Sequence, residues 1–286
     1  MMTQTVALLG AGGKMGSRCR DKLMKENYSL LLCEEGDGLK KLQEKGLKAT
    51  PAEEAVPVAD IVIMAVPDIL MSSIAKNITP MLKSDATMVL LDAAVPYVGG
   101  IPMRDDVTYV AAHPCHVSPF KEQETPVTRK DWWGGRAVQD IIVGLIQGSE
   151  ENFTKAKELC CEMWGPVDKC HRVTLEQMAI LEPMVAEVLG AALASVLKEA
   201  VDIAVNDHGV PKEAAESFML GHACIELGIV FGTTDALFSD ACKVAIKLGK
   251  EWFFKPDWKK VLFEPEMIRK TINLMLHPER LKKDDN

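Results

Sequence analysis

Through the first 173 positions, short aliphatic runs alternate with longer stretches whose apolar residues recur every three or four places. The short runs predict strands and the longer stretches predict covering helices, which is the rhythm of β-α-β units around a parallel sheet. Strands are expected at Val6–Leu9, Tyr28–Cys33, Leu47–Thr50, Ile61–Val66, Met88–Leu91, Tyr109–Ala112, Asp140–Gln147 and Val167–Val173. Ile61–Val66 has no polar position at all, the pattern of a strand covered on both faces. Helices are expected from the glycines after the first strand to about Glu26, over Ile69–Leu82 and over Glu150–Met163.

Near Val173 the rhythm stops. Thr174 and Gln177 form a capping box, and apolar positions then recur at helical spacing as far as Val205, with a kink expected at Pro183. Asn206–Gly209 ends this long helix and Pro211 opens the next, which runs to Phe231 before Gly232. Two more follow, Ser239–Phe254 and Pro265–Leu276, and the charged tail Lys282–Asn286 is expected to fray. The reading is an α/β domain over 1–173, built on a doubly wound, mostly parallel sheet, followed by an all-helical domain over 174–286. On the long helix Val185, Val188, Leu189, Ala192, Leu193, Val196, Leu197, Val201 and Ala204 cover a wide arc. Such a helix is buried on most sides, by its neighbours or by a second subunit.

Composition narrows the function classes. The 286 residues are 48% hydrophobic and 26% charged, ordinary for a globular protein. With 33 Lys+Arg against 41 Asp+Glu, a net charge of -8, no global field gathers nucleic acid or anionic lipid. Val188–Leu197, bounded by Glu187 and Lys198, falls short of the roughly 20 apolar residues of a membrane span. Val6–Leu9 is too short for a signal segment and its basic residues follow it. A cytoplasmic chain with no membrane span is expected. The eight cysteines include no CxxC pair and read as reduced thiols, with Cys115 set apart by its neighbours.

Gly10, Gly12, Gly13 and Gly16 lie in GAGGKMG, between a strand and a helix, with Lys14 and Met15 completing the loop. In that context the first glycine permits a tight turn, Gly12 lets backbone approach a pyrophosphate, and the helix N-terminus offers free N–H groups. Glu34, at the end of the second strand, is placed to accept hydrogen bonds from a ribose 2′-hydroxyl and to repel a 2′-phosphate, so NAD is the expected cofactor over NADP. Pro67 and Asp68 end the Ile61–Val66 strand and should line the same crevice. Tyr109–Ala112 leads directly into HPCH, placing His113 and His116 at a carboxyl strand end, where imidazoles bind a metal or move a proton. Glu176 and Glu182 open the long helix. His222 and Glu226, four apart, share a face of the next one. Lys198 is a weaker candidate for a charge pointing at the cleft.

The strings LLGAGGKMG, AVPD, LLDAAVPY, HPCH, Gln147-Gly148, EQMAILEP and GHACIE together resemble the D-apionate oxidoisomerase family. That family sits within the superfamily of 6-phosphogluconate dehydrogenases and ketol-acid reductoisomerases. The resemblance runs from Val6 to about Trp258. It departs after His116, where Val117-Ser118-Pro119 stands in place of the usual Pro-Pro. It implies a Rossmann domain followed by helices, a homodimer joined through the helical domain, and a branched sugar acid as substrate. The implied reaction oxidises the 2-hydroxyl of D-apionate with NAD and then migrates a hydroxymethyl group from carbon 3 to carbon 2. A divalent cation, zinc or similar, would suit that shift, with His113 and Glu182 as its protein ligands. His116, Glu176, His222 and Glu226 would then carry protons or bind substrate. Two rivals stay open. A plain NAD-dependent hydroxy acid dehydrogenase would do without the rearrangement, although its usual Lys and Asn a turn apart read here as Lys198 and Asp202. A non-catalytic NAD sensor would keep the glycine loop but has little use for HPCH.

Overall fold

A computed structural model describes residues 3–281, so the tail from Lys282 lies outside the described residues. Seven strands form one sheet in the order β2-β1-β3-β4-β5-β6-β7. The first five, β1 (Gln4–Leu9), β2 (Tyr28–Cys33), β3 (Ile61–Met64), β4 (Thr87–Leu90) and β5 (Thr108–Pro114), are parallel. β6 (Gln139–Gln147) turns back antiparallel to β5, and β7 (Val167–Arg172) runs parallel to β6. The connecting helices are α1 (Lys14–Leu23), α2 (Gly36–Glu44), α3 (Ala52–Ala55), α4 (Asp68–Ile78), α5 (Ala94–Tyr97), α6 (Pro126–Arg129) and α7 (Glu150–Met163).

Alternate side chains leave opposite faces of a strand, and the core divides accordingly. Val6, Leu8, Ile61 and Ile63 pack on one face with Cys19 and Leu23 of α1 and Phe153, Leu159 and Cys160 of α7. Ala7, Leu9, Val62 and Met64 pack on the other with Met71, Ala75 and Ile78 of α4. Because β2 and β3 flank β1, the connections leave β1 and β3 toward opposite sides. The crevice at that reversal, at the carboxyl ends of the strands, is where such sheets hold ligands.

Three local expectations are corrected. Leu47–Thr50 is not a strand; the Thr50 N–H reaches the Leu32 carbonyl at 2.7 Å, but Pro51 follows and cannot extend a ladder. The residues before it form α2, which the spacing did not reveal. The first helix closes at Leu23 rather than near Glu26.

The chain divides into two compact units, one through Ala179 together with the chain from Arg269 onward, the other Ile180–Ile268. The division therefore falls at 179/180 rather than 173/174, and the chain returns to the first unit at its end. The reason is in the last long helix, α13 (Pro265–Leu276): Ile272 is fully buried, Leu276 packs on the Val62–Met64 side of the sheet, and the Arg269 guanidinium donates to the Tyr97 carbonyl at 2.9 Å.

α8 (Leu175–Ala179) carries the expected capping box: the Thr174 N–H donates to Gln177 at 2.9 Å and the Gln177 N–H to Thr174 Oγ1 at 3.2 Å. A π-helical stretch, Ile180–Ala191, then surrounds Pro183. Proline lacks an N–H and crowds the preceding turn, and a wider turn relieves both. The second unit continues with α9 (Ala192–Asn206), α10 (Lys212–Val230), α11 (Asp240–Phe253) and α12 (Trp258–Phe263). Helix Leu175–Asn206 is long and apolar enough to cross a membrane, with a mean hydropathy of 1.8 over its most apolar window, a wider apolar run than Val188–Leu197 alone.

Candidate active site

The loop from β1 to α1 is built on close approaches that only glycine allows. Gly10 has φ +79°, and a Cβ there would overlap the Ala65 carbonyl at the end of β3; a Cβ on Gly16 would overlap the carbonyl of Gly10. Gly12 is tight for a reason outside the expected one. A Cβ on it would overlap Gly38, so the start of α2 is laid against the loop. Gly13 is the residue before α1, extended at φ -68° and ψ 174°, and no side chain caps the N–H groups of the first turn. Lys14 is exposed on that turn. Met15 is half-buried and its side chain packs against the core, so it serves packing.

Glu34 follows β2 and reaches back to this loop, where its carboxylate accepts the Gly12 N–H at 2.6 Å and the Glu35 N–H at 3.0 Å. Gly38 makes room for that carboxylate. Pro67 precedes α4 and Asp68 is its first residue, both exposed at the carboxyl end of β3.

β5 runs two residues further than expected, to Pro114, so His113 lies inside it, and His116 stands just beyond it with φ +59°. A left-handed backbone at a non-glycine residue costs about 1–2 kcal/mol, so the surroundings must hold it. The ring centroids of His113 and His116 are 6.0 Å apart, edge to face. His113 Nδ1–H donates to the Pro114 carbonyl at 2.9 Å, which leaves Nε2 with the lone pair when the ring is neutral. Burial pushes the His113 pKa below its ordinary value, with the Pro114 carbonyl and Asp92 opposing and Arg18 assisting. Burial likewise lowers His116, assisted by His113, Arg18 and Lys14. Both rings are thus neutral near pH 7 and able to accept a proton. Cys115 between them is pushed up to about 11, first by burial and then by Asp140, so it is held mainly as the thiol near pH 7.

Three participants escaped the sequence reading. Asp92, buried beyond β4, accepts the Ala94 N–H at 2.6 Å; its signal was an acid inside LLDAAVPY at a strand end. Arg18, 8% exposed, was a charge on the inner face of α1. Trp133 had no local signal, since it reaches His116 through the fold.

The remaining candidates divide between the units. Glu176 is exposed on α8, which packs against α5 in the first unit. Glu182, half-buried in the π-helical stretch, belongs to the second unit, as do His222 and Glu226. His222 stacks on Phe218 with centroids 3.9 Å apart and its Nδ1–H donates to the Phe218 carbonyl at 2.8 Å, so its partner is one turn back rather than Glu226. Lys198 pairs with Asp202. Gln147 and Gly148 lie at the opposite end of the sheet, where Gln147 donates to the Arg104 carbonyl at 2.8 Å.

Comparison with known proteins agrees with this layout. Residues 1–115 match the family described as acetohydroxy acid isomeroreductase, NADPH-binding domain, and residues 121–276 match phosphogluconate dehydrogenase (decarboxylating) C-term. The chain is 40% identical over 283 residues to the D-apionate oxidoisomerase of Blautia hydrogenotrophica, covering 96% of this chain and 97% of that one. It is 41% identical over 274 residues to the D-apionate oxidoisomerase of Cupriavidus necator, covering 95% and 99%. The crystal structure of a semialdehyde dehydrogenase NAD-binding protein from Cupriavidus necator, in complex with calcium and NAD, superposes with a TM-score of 0.91 at 40% identity, over 95% of this chain and 99% of that one. An NADH-preferring ketol-acid reductoisomerase from an uncultured archean, 17% identical, shares the fold at a TM-score of 0.68 over 96% of this chain and 84% of that one. The chain belongs to the D-apionate oxidoisomerase family and is an NAD-binding oxidoreductase.

Proposed function

We propose that this enzyme converts D-apionate to 3-oxo-isoapionate with NAD. The observation that carries the reading is the pair of half-buried imidazoles, His113 and His116, with ring centroids 6.0 Å apart at the carboxyl end of β5, in the sheet that also presents the glycine loop. In the oxidation, hydride leaves carbon 2 for NAD and the 2-hydroxyl gives up its proton, for which His116 is the proposed acceptor. In the rearrangement, the 3-hydroxyl loses its proton, the hydroxymethyl group moves with its bonding pair from carbon 3 to the carbon-2 carbonyl, carbon 3 becomes the ketone, and the oxygen on carbon 2 takes up a proton. Glu176, His222 and Glu226 stay as proposed proton carriers or substrate hydrogen-bonders.

A cation such as zinc or calcium, when bound, would stabilise negative charge on the two substrate oxygens. His113 fits it: with Nδ1–H given to a backbone carbonyl, Nε2 is the free donor, the arrangement in which metal-binding histidines are commonly held. Among the described residues no group of three or more His, Cys, Asp and Glu forms a metal cage, so water and substrate oxygens would complete the coordination. Glu182 enters the proposal as a second protein ligand on the chemistry of its carboxylate. The Glu34 carboxylate beside the Gly12 amide favours NAD over NADP, in keeping with the NAD held by the related Cupriavidus protein and against the NADPH named in the reductoisomerase family.

A homodimer is proposed for the assembly. Leu193, Val196 and Leu197 on α9, Phe218 and Leu220 on α10, and Trp252 and Phe253 on α11 are all exposed in the single chain. Exposed apolar surface of that amount is covered by a partner or a membrane; relatives of this length named as sugar-acid enzymes favour a second copy and a cytoplasmic site. Incubation with NAD and D-apionate, with and without EDTA, followed by carbon NMR of the product, tests the reaction. An unrearranged 2-oxo acid would favour the simple dehydrogenase, and no NADH from any sugar acid would favour the sensor. Full activity with EDTA and metal-free protein would remove the cation.

A further inference from the structure

The segment between β5 and β6, residues 115–138, is long for a connection within a compact unit, and such loops commonly serve function. It is also tightly tied. Gln123 donates to the Val138 carbonyl at 2.8 Å and accepts the Val138 N–H at 2.9 Å. The Asp131 carboxylate accepts the N–H groups of Arg136 at 2.7 Å and Ala137 at 3.1 Å, while its carbonyl accepts the Gly134 N–H at 2.9 Å. This closed turn presents Trp133 back toward the sheet. The Trp133 carbonyl accepts Arg18 Nη1–H at 2.6 Å. Gly134, at φ +83°, leaves the space that the rest of the Arg18 guanidinium fills.

The indole then meets two groups of the site. The His116 ring lies 5.2 Å away, centroid to centroid, and Lys14 Nζ stands 4.2 Å from the indole centroid. Lys14 opens α1 directly after the glycine loop, and His116 has the backbone strain that needs an external hold. Arg18 is buried, spends one nitrogen on the Trp133 carbonyl, and leaves Nε and Nη2 without a hydrogen-bond partner. A buried charge left partly unsatisfied is costly, and such features persist where they set the geometry of a site.

We propose that Trp133, anchored through its carbonyl by Arg18, is a positioning residue that fixes the His116 imidazole and ties it to Lys14 of the cofactor loop. This rests on the reading of His116 as a working histidine of the site. It extends that reading to a residue with no chemistry of its own. Substitutions that remove the ring should free the imidazole and release the Lys14 side chain while leaving the backbone contacts of the glycine loop in place.

The test uses the full-length protein with ring-labelled histidine. In the wild type, the His116 ring signals, assigned by their loss in H116Q, should be single and sharp. In W133L they should broaden, split or shift, while those of His208 and His277 stay in place and report an intact fold. W133F should recover much of the wild-type spectrum, because an aromatic ring remains. R18K should resemble W133L in direction. In turnover of D-apionate with NAD, W133L should lower kcat ~10–100-fold with the Kd for NAD changed by less than threefold, and W133L/H116Q should be no slower than H116Q. Unchanged His116 signals in folded W133L overturn the proposal, as does an unchanged kcat in W133L when H116Q is inactive. Altered His116 signals with full activity in H116Q would instead leave the positioning intact and sink the catalytic reading on which its purpose rests.

Discussion

The carboxylate of Glu34 accepts the amide proton of Gly12 at 2.6 Å, so the acid expected to choose the cofactor is itself held by the loop that receives it. Replacing it should therefore change both selection and loop order. Glu34→Gln removes the charge and weakens a charge-assisted bond of about 1.5–3 kcal/mol. The KM for NAD should rise roughly 10–100-fold, and Glu34→Arg should lower the KM for NADP below that for NAD. Equal KM values for the two cofactors in the wild type would contradict the assignment.

Gly16 and Gly46 separate two causes of glycine dependence. A Cβ on Gly16 would overlap the Gly10 carbonyl, whereas Gly46 has open space around it and only its φ of +69°. Gly16→Ala should cost roughly 1–3 kcal/mol, the usual range of overpacking, and abolish NAD binding. Gly46→Ala should cost ~1–2 kcal/mol and leave binding intact. Urea midpoints for the two variants decide whether contact or conformation governs each position.

The half-buried imidazoles make stability depend on pH in a defined direction. His113 and His116 have folded pKa values below the ordinary 6.5, chiefly from burial. Above pH 6.5 both states carry neutral rings, and their contribution is fully present. As pH falls from 6.5 through the folded values, the unfolded chain takes up protons first and stability is lost. Asp106, lowered from 3.8 to about 2 by Arg104, loses its contribution only as pH falls through that lower range, below the pH 5.5 of the test. EDTA-treated protein should unfold at lower urea at pH 5.5 than at 7.5, and H113Q/H116Q should flatten the difference. A flat wild-type profile would show that the rings are not buried as neutral bases.

The exposed apolar face of α9 gives a test of assembly. Val196 and Leu197 are 58% and 41% exposed in the single chain. The wild type should scatter light with the mass of two chains, and V196E/L197D should halve it at micromolar concentration. A monomeric wild type would refute the homodimer.

Much of the fold could be read from local pattern because local pattern determined it. Tyr28–Cys33, Glu150–Met163 and Pro265–Leu276 have the bounds their spacing implies, each closed by a turn residue or cap such as Ser149, whose hydroxyl accepts the Asn152 N–H. Leu47–Thr50 failed because four aliphatic and polar residues cannot say whether a neighbouring strand is available. The antiparallel return of β6 escaped because direction is a property of the pair, not of the strand. At the site, the glycines, Glu34 and the HPCH histidines announce themselves by type and place. Arg18 and Trp133 do not, since they lie 115 residues apart in sequence and acquire meaning only when folded together.

The return of α13 to the first unit makes the helical unit an insertion between two portions of the sheet-bearing unit. The cofactor half is therefore not a contiguous cassette. A fragment ending at Ala179 would lack Arg269, Ile272 and Leu276, expose the apolar surface they cover and lose the clamp on Tyr97. Joining residue 179 to residue 269 through a flexible linker, by contrast, would supply both again, and is the form in which that half should be asked to fold and bind NAD alone.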